Sequence, residues 1–247
     1  IMIKLIIQIT RIIIAAIASL LFQSCVNFDG NFEIVNGNGD ITSETRNLSE
    51  DFTSIEAKTG IEVIVTQENS HGIKVEADSN LHEHIITEVK DGKLKIYCDA
   101  NLKNVAAKKV FVQMPIIERL QTSSGASITN KNIIKATSLD VESSSGSQIK
   151  IEVMTNELAC ESSSGSEIIL LGETNKLKAE SSSGGTIAAA KLSTNEAEAN
   201  ASSGSEIKIN PTEKLVAKAS SGATISYSSQ PKTIEINKSS GGNVRLR

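Results

Sequence analysis

Apolar and polar residues alternate around a short motif that recurs seven times in the second half of the chain. The motif is Ser-Ser-Gly, and its glycines follow one another at intervals of 18 to 21 residues: Gly125, Gly146, Gly165, Gly184, Gly204, Gly222 and Gly241. Counted from the glycine, position +3 is isoleucine or valine in every repeat, and positions −5 and −7 are mostly apolar. The positions between them are mostly polar. Because side chains of a strand point alternately to opposite faces, this period of two predicts strands with one buried face.

A fixed period of this length is typical of solenoids, in which each repeat forms one rung stacked on the previous rung. A helical repeat would need apolar spacings of three and four, which the repeats do not show. The sequence therefore predicts an all-β fold, a single-stranded parallel β-helix with about 19–20 residues per rung. We expect irregular β rungs over residues 46–121 and regular rungs over 122–247, with 46–247 forming one continuous domain.

The seven glycines are predicted to lie at a structural corner of each rung, because glycine adopts bent conformations without steric cost. If the alternation continues through the motif, the serine at position −1 points inward in every repeat. Its hydroxyls would then stack about 4.8 Å apart from rung to rung. Pairs such as Thr155-Asn156 and Thr174-Asn175 are predicted to form loops on the outside.

The first residues have a different composition, which predicts export. Residues 1–24 combine Lys4 and Arg11 with long apolar runs, as in a secretory signal peptide. The segment ends at Ser24-Cys25, which is similar to a lipoprotein processing site and predicts a lipid on Cys25. We expect 1–24 to be a lipoprotein-type signal peptide and 25–45 a linker. The protein would then lie in the cell envelope, as an outer-membrane or surface lipoprotein, with the bacterial membrane as partner. The alternative is an ordinary signal peptide or anchor followed by an incidental cysteine.

Composition excludes other classes of function. The 247 residues carry a formal net charge of −4, and only 3% are aromatic. No basic patch with interleaved aromatic residues occurs, so we do not expect nucleic acid as a partner. Cys98 and Cys160 occupy apolar positions and are predicted to be small buried hydrophobic residues without a disulfide. Their spacing is not that of a zinc site.

Residues upstream of the repeats carry a family resemblance. They include Phe52–Glu56, Gly60–Gln67, the hairpin-type segment Asp91–Ile96 and the strand Val110–Pro115, followed by the Ser-Ser-Gly rungs. In this order they resemble the auto-transporter adhesin "head GIN" domain family over roughly residues 45–247. The resemblance implies a right-handed parallel β-helix on a secreted or lipid-anchored bacterial protein, and it supplies no catalytic residues.

Two groups of residues are candidates for chemistry. Glu142, Glu161 and Glu180 share position −4 on three consecutive rungs, where like charges repel and a cation such as Ca²⁺ could relieve the repulsion. The alternative is a solvated column screened by salt and by neighbouring lysines. His82 and His84 flank Glu83, and alternation would put both imidazoles on one side of a strand; two exposed histidines are the simpler interpretation.

These patterns favour a non-catalytic, lipid-anchored β-helix that binds an unknown surface glycan or protein, without a cofactor. The alternative is a carbohydrate-active β-helix enzyme, a polysaccharide lyase or hydrolase, which would need paired carboxylates or a base beside an arginine such as Arg119. Lys238, Arg245 and Arg247 make the last repeat basic, and edge charges of this kind oppose strand addition. We therefore expect a monomer.

Overall fold

Strands make up most of the chain that the computed structural model describes, residues 33–47 and 50–247. They are β1 (Ile34–Asn36), β2 (Ile41–Arg46), β3 (Ser54–Ala57), β4 (Glu62–Gln67), β5 (Gly72–Asp78), β6 (Ile85–Lys90), β7 (Lys93–Cys98), β8 (Asn101–Lys103), β9 (Lys108–Met114), β10 (Arg119–Thr122), β11 (Ser127–Asn130), β12 (Ile134–Ser143), β13 (Gln148–Ser162), β14 (Glu167–Ser181), β15 (Thr186–Ala201), β16 (Glu206–Ala219), β17 (Thr224–Tyr227), β18 (Thr233–Lys238) and β19 (Asn243–Leu246). A 3₁₀ helix, Ser79–His84, joins β5 to β6. The predicted signal peptide and Cys25 lie outside the described residues.

The Ser-Ser-Gly repeats stack as parallel strands, so the predicted β-solenoid is confirmed. Strand β14 pairs with β13 on one side and with β15 on the other, and each pairing joins equivalent positions of the repeat. Ile168, for example, lies between Ile149 and Ile187. Equivalent side chains therefore form columns that run along the solenoid axis.

Apolar columns fill the interior, as the period of two predicts. The inward side chains at +3 and −5 of the inner rungs are buried. Ile168 and Ala179 are both 0% exposed. Cys98 and Cys160 are buried free thiols, which confirms their predicted place in the core.

The corner differs from the prediction at position −1. The serine there and the following glycine both have positive φ in all seven repeats; Ser164 has φ 52° and Gly165 φ 71°. Two successive left-handed residues are typical of a type I′ turn, and Ser166 N–H donates to the Ser163 carbonyl across it. The two turn residues lie at the exposed tip. The predicted inward stacking of the −1 hydroxyls is therefore wrong, because the serine itself forms the turn.

Buried hydroxyls instead flank the corner, at positions −3 and +1. The Ser162 and Ser166 hydroxyls lie 2.9 Å apart within one rung, and Ser166 Oγ donates to the Ser143 carbonyl of the neighbouring rung at 2.6 Å. The Thr122 hydroxyl likewise donates to Ser143 Oγ at 3.0 Å. These bonds satisfy polar groups in a narrow interior, where an unpaired hydroxyl would be costly.

The second corner is a bend rather than the predicted loop. Strand β13 continues through Thr155-Asn156, and β14 continues through Thr174-Asn175. The threonines bond each other, Thr155 Oγ1 donating to Thr174 Oγ1 at 2.8 Å. The exposed asparagines also stack, and Asn195 Nδ2 donates to Asn175 Oδ1 at 2.8 Å. Side-chain amides thus extend the ladder of hydrogen bonds along this edge.

At the N-terminal end, the stacking order departs from the chain order. The β3–β4 rung lies between β7–β9 and β10–β11, so the segment after β9 crosses over it. Beyond β7 and β9, the chain reverses: β6 is antiparallel to β7 and β5 is antiparallel to β9. Together with the 3₁₀ helix, these two strands cover the apolar end of the solenoid, which a parallel stack cannot do for itself.

Part of the predicted linker is folded. Residues 34–36 and 41–46 form β1 and β2, and β2 is antiparallel to β5. The loop between them is held by Asp78, which is 0% exposed and accepts N–H bonds from Gly39, Ala106 and Ala107. Residues 34–247 consequently form one compact unit, which begins earlier than residue 46.

The alternation can be tested with one chemical change at adjacent positions. Ile168→Ala should destabilise the protein by about 2–5 kcal/mol, because it leaves a cavity in the core. Ile169→Ala, on the outward face, should cost less than about 1 kcal/mol. Urea unfolding monitored by circular dichroism measures both, and equal losses would contradict the assignment of faces.

The corner makes a second prediction. Ser166→Ala should cost about 1–2 kcal/mol, because the Ser143 carbonyl and the Ser162 hydroxyl lose a buried partner. Ser164→Ala, at the exposed tip, should cost less than about 0.5 kcal/mol, since alanine and serine tolerate the left-handed conformation similarly. Thermal melts of the two variants compare these costs, and a larger loss for Ser164→Ala would restore the inward arrangement of position −1.

Asp78 predicts a pH dependence. Burial raises the pKa of its carboxyl, but the N–H bonds from Ala107, Gly39 and Ala106 outweigh burial and leave that pKa below its ordinary value. A lowered pKa stabilises the fold above the unfolded-state pKa of about 3.9, and this stabilisation is lost as pH falls through the folded pKa. Asp78→Asn should therefore lower the urea midpoint of unfolding at pH 7. The difference in urea midpoint between the variant and the unmodified protein should decrease below about pH 4. A difference in urea midpoint that is constant from pH 7 to about pH 3 would show that the charge of the Asp78 carboxylate does not stabilise the fold.

Candidate functional site

The outward side chains that precede each corner form one continuous surface. We call it the charged face and define it by positions −8, −6 and −4 of β10, β12–β16 and β18. The strand register places equivalent positions side by side, for example Glu142 beside Glu161 and Glu161 beside Glu180. Neighbouring side chains of a column are therefore about 4.8 Å apart at the backbone, the spacing of paired strands.

Charge alternates along the column at position −8. Its members on four consecutive rungs are Glu157, Lys176, Glu196 and Lys214. Lys176 Nζ lies 3.8 Å from Glu157 Oε1. Opposite charges on adjacent strands attract, whereas like charges directly opposite each other destabilise a sheet. The alternation therefore lets a surface rich in charged residues stack rung on rung.

The acid column at position −4 is the exception, since three like charges follow one another. Glu142 accepts a hydrogen bond from Gln121 Nε2 at 2.6 Å and lies 3.8 Å from Arg119 Nε. Glu180 pairs with Lys178 Nζ at 2.9 Å. Glu161, between them, makes no ion pair within residues 33–47 and 50–247. The two outer charges are thus compensated by protein groups, and the middle one is exposed to solvent.

The basic residues beside the acid column, Arg119 and Lys178, have raised pKa values and remain protonated. The hydrogen bond from Arg119 to Asp140, 2.7 Å long, raises the pKa of the arginine above its ordinary value. The hydrogen bond to Glu180 likewise raises the pKa of Lys178. Within the described residues, no group of three or more His, Cys, Asp or Glu side chains is arranged to hold a metal ion. Binding of Ca²⁺ by the column stays a prediction.

An elongated groove runs beside the acid column. We call it the axial groove: it crosses five rungs, from Glu161 to Asn237, and has a volume of about 570 Å³. On the inner rungs its floor is the chain at position −3, at residues such as Ala201 and Ala219, whose small side chains point into the core. One wall is formed by the side chains at −4, and the other by the serines at −2, among them Ser202. The groove thus presents polar groups that repeat with the rungs.

The histidines lie at the opposite end of the molecule and do not form one site. His82 and His84 are on the 3₁₀ helix rather than on a strand, and their side chains are only 12% and 17% exposed. His82 lies against Glu44, and His84 Nδ1 is 3.1 Å from Asp99. The prediction of two exposed imidazoles on one strand face is therefore wrong, because the chain turns between β5 and β6.

The structure also reveals residues that the sequence patterns missed. Thr59 and Gly60 form an eighth corner with the same pair of positive φ values, 57° and 65°, although Ser-Ser-Gly is absent there. Its signal in the sequence is Val63, three residues after the glycine, the spacing of the other rungs. Cys160 is not a candidate nucleophile: burial raises the pKa of its thiol to about 12. In the described part of the chain, no helix has the length and apolar character to cross a membrane.

The acid column gives a fourth prediction, on electrostatics. In the absence of divalent cations, Glu161→Gln should raise the melting temperature slightly, because it removes repulsion on both sides of the column. Millimolar Ca²⁺ should raise the melting temperature of the unmodified protein, and the variant should lose that rise. Glu167→Gln, on another column, serves as the control. No effect of Ca²⁺ on the unmodified protein would leave the column as a solvated surface.

Three bacterial proteins of known crystal structure share the fold. A putative adhesin from Bacteroides fragilis NCTC 9343 has a TM-score of 0.81 at 20% identity and covers 86% of this chain and 100% of that one. A protein described as "Putative lipid binding protein", from Parabacteroides distasonis ATCC 8503, has a TM-score of 0.73 at 20% identity, with 87% and 100% covered. A putative adhesin from Parabacteroides merdae ATCC 43184 has a TM-score of 0.69 at 19% identity, with 87% and 99% covered. At these identities the comparison establishes the fold alone.

Sequence comparison assigns the family. A search of curated proteins finds no significant match. The family model described as "Putative auto-transporter adhesin, head GIN domain" matches residues 51–231. This range includes the eighth corner at Thr59-Gly60, the reversed strands β5 and β6, and six of the seven Ser-Ser-Gly corners. The chain therefore belongs to the auto-transporter adhesin head GIN domain family.

Proposed function

We propose that this protein is a non-catalytic binding module, exported and anchored by a lipid on Cys25, that binds a glycan or protein at the bacterial envelope. The observation that carries the proposal is the charged face with its axial groove, on which equivalent polar side chains recur rung after rung. Stacked repeats commonly use such extended surfaces for binding. Membership of an adhesin-type family and the adhesin-type structural neighbours support the same role.

The charges of the face also favour binding over catalysis. A polysaccharide lyase or hydrolase needs a carboxylate free to accept or donate a proton, with a pKa suited to that task. Here Asp140 and Glu180 are held in ion pairs by Arg119 and Lys178. Glu161, which makes no ion pair within the described residues, is exposed to solvent rather than enclosed in a catalytic pocket. We expect no product when acidic and neutral polysaccharides are incubated with the protein. Release of reducing ends or of unsaturated sugars would support the enzymatic alternative.

The binding role can be tested with an array of glycans and matrix proteins probed with residues 26–247. We expect at least one ligand to bind above the level of the heat-denatured protein. Competition by free ligand distinguishes specific binding from adsorption to a charged surface. The proposed function would be contradicted if no signal exceeded that of the denatured protein, or if every signal persisted in excess free ligand.

The anchor has a separate test. Cys25→Ala should move the protein from the membrane fraction to the soluble exported fraction, because the lipid attachment site is removed. Ser24→Ala keeps a small residue before the cysteine and should leave membrane association unchanged. If Cys25→Ala still partitions into detergent, the lipid anchor is refuted. This outcome does not depend on which ligand the charged face binds.

A further inference from the structure

The axial groove repeats the same hydroxyl on four of its five rungs. Ser182, Ser202, Ser220 and Ser239 form one wall, each at position −2. Their side-chain hydroxyls make no hydrogen bond to another group of residues 33–47 and 50–247, in contrast to the buried hydroxyls at −3 and +1. The four intervals between five rungs, at about 4.8 Å each, give the groove a length of about 19 Å. A ligand lying along it would meet a hydrogen-bonding group at every rung.

The opposite wall contains an acceptor without a partner. Asn200 Oδ1 is buried and has no hydrogen-bond partner in the described protein. A buried polar atom left unpaired costs free energy unless a solvent molecule or a ligand satisfies it. Asn237 follows two rungs later at the same position. Amides at −4 and hydroxyls at −2 therefore line opposite walls of the groove on the rungs of Asn200 and Asn237.

Two lysines give one end of the groove a positive charge. Lys218 and Lys238 line it on neighbouring rungs. The nearest carboxylate to Lys218 is Glu198, at 3.8 Å, and Lys238 makes no ion pair within the described residues. Lys238 occupies position −3, where the neighbouring rungs have Ala201 and Ala219. Although position −3 points inward on the inner rungs, Lys238 on the last rung is exposed at the end of the groove, where it can attract an anion.

The spacing of the rungs and the polarity of the walls distinguish among three possible ligands of the axial groove: a peptide, a lipid chain and a sugar chain. An extended peptide repeats its side chains on one face about every 6.8 Å, which does not match rungs about 4.8 Å apart. A lipid chain needs apolar walls, whereas these walls carry hydroxyl, amide and charged groups. An unbranched sugar chain offers several hydroxyls per residue, and an extended β-linked chain advances by a length close to one rung per sugar.

We propose that the axial groove binds an unbranched, β-linked glycan that contains uronic acids, along the solenoid axis and with about one sugar per rung. Lys218 and Lys238 bind a sugar carboxylate, and the serine and asparagine side chains bind hydroxyls. This inference rests on the proposed binding function and gives it a ligand class. Since the lining includes no aromatic side chain, affinity depends on the sum of hydrogen bonds along the chain.

The test is a calorimetric titration of the full chain, purified in detergent, with β-1,4-linked oligomannuronates of increasing length. The affinity should increase with each added sugar over the three rungs of Asn200, Lys218 and Lys238, and then level off, because Glu161 and Glu180 line the other two rungs and repel further carboxylates. Neutral cello-oligosaccharides of equal length should bind at least about 10-fold more weakly, because they have no carboxylate for the lysines. An affinity that does not depend on length, or that is equal for both sugars, would overturn the proposal.

Matched variants locate the site. Lys218→Glu combined with Lys238→Glu should weaken binding at least about 10-fold, because a favourable charge contact becomes a repulsive one. Lys150→Glu combined with Lys191→Glu changes the net charge equally but lies outside the groove, so it should leave the affinity unchanged. Ser202→Leu, which fills the groove, should abolish binding, and Ser144→Leu, at the equivalent corner outside it, should not. Circular dichroism checks that each variant is folded.

The outcomes separate this inference from the proposed function. If the array identifies a protein or a neutral glycan whose binding survives Ser202→Leu, the groove assignment is wrong and the binding function stands. If no ligand competes at any surface, both are wrong. Equal losses in the two double-lysine variants would mean that net charge attracts the oligomannuronates, which also overturns the groove site.

Discussion

The structure depends on a turn of two left-handed residues, repeated at the same place on every rung. Serine at −1 and glycine at 0 both have positive φ, a combination that is costly for the serine and almost free for the glycine. The turn is held within the rung by a backbone bond and between rungs by another, in which Gly146 N–H donates to the Ser164 carbonyl at 3.2 Å. Because this bond joins the glycine of one rung to the −1 serine of the next at each successive pair of corners, it fixes the register of the strands on both sides of the corner.

The register in turn determines the chemistry of the surface. Equivalent positions must lie next to each other, so each outward side chain has the equivalent side chains of the neighbouring rungs about 4.8 Å away. These neighbours can carry the same group, an opposite charge or an unrelated group. At −8 acidic and basic residues alternate from rung to rung. At −4 three glutamates are followed by asparagine and lysine, and at −2 every rung has serine. The groove, its hydroxyl wall and its basic end are consequences of a single alignment.

The regular part of the fold was predictable from the sequence because its columns contain little besides Ile, Leu, Val and Ala. The inward direction of Ile168 follows from a period of two and needs no knowledge of neighbours. The direction of the Ser164 side chain cannot be predicted in the same way, because serine shows no strong preference for left-handed backbone. A two-residue turn also preserves the alternation on either side of it, so the pattern does not reveal the turn. Ser162, Ser164 and Ser166 all have the parity of inward positions, but only Ser162 and Ser166 are buried, because Ser164 lies in the turn.

The N-terminal end was less predictable because it depends on contacts between distant segments. Nothing local places β3 and β4 between two later rungs, and nothing in the sequence of β5 predicts its antiparallel pairing with β9. The hairpin of β6 with β7 is different, because Asp91-Gly92 directly after β6 predicts it. Asp78 is one acidic residue among many until the loops at Gly39 and Ala107 enclose it. The axial groove likewise requires the register, since its floor is small only where consecutive rungs place Ala201 beside Ala219.

The most direct test of this account is the distance between spin labels at equivalent corners. Cysteines at Ser123 and Ser202 are four rungs apart and those at Ser123 and Ser239 are six, in a Cys25→Ala background where Cys98 and Cys160 are buried. Pulsed electron paramagnetic resonance should give backbone separations near 19 Å and 29 Å, a constant increase of about 4.8 Å per rung. Distances that do not increase with the number of rungs would contradict the stacked, in-register corners on which the groove and its proposed ligand depend.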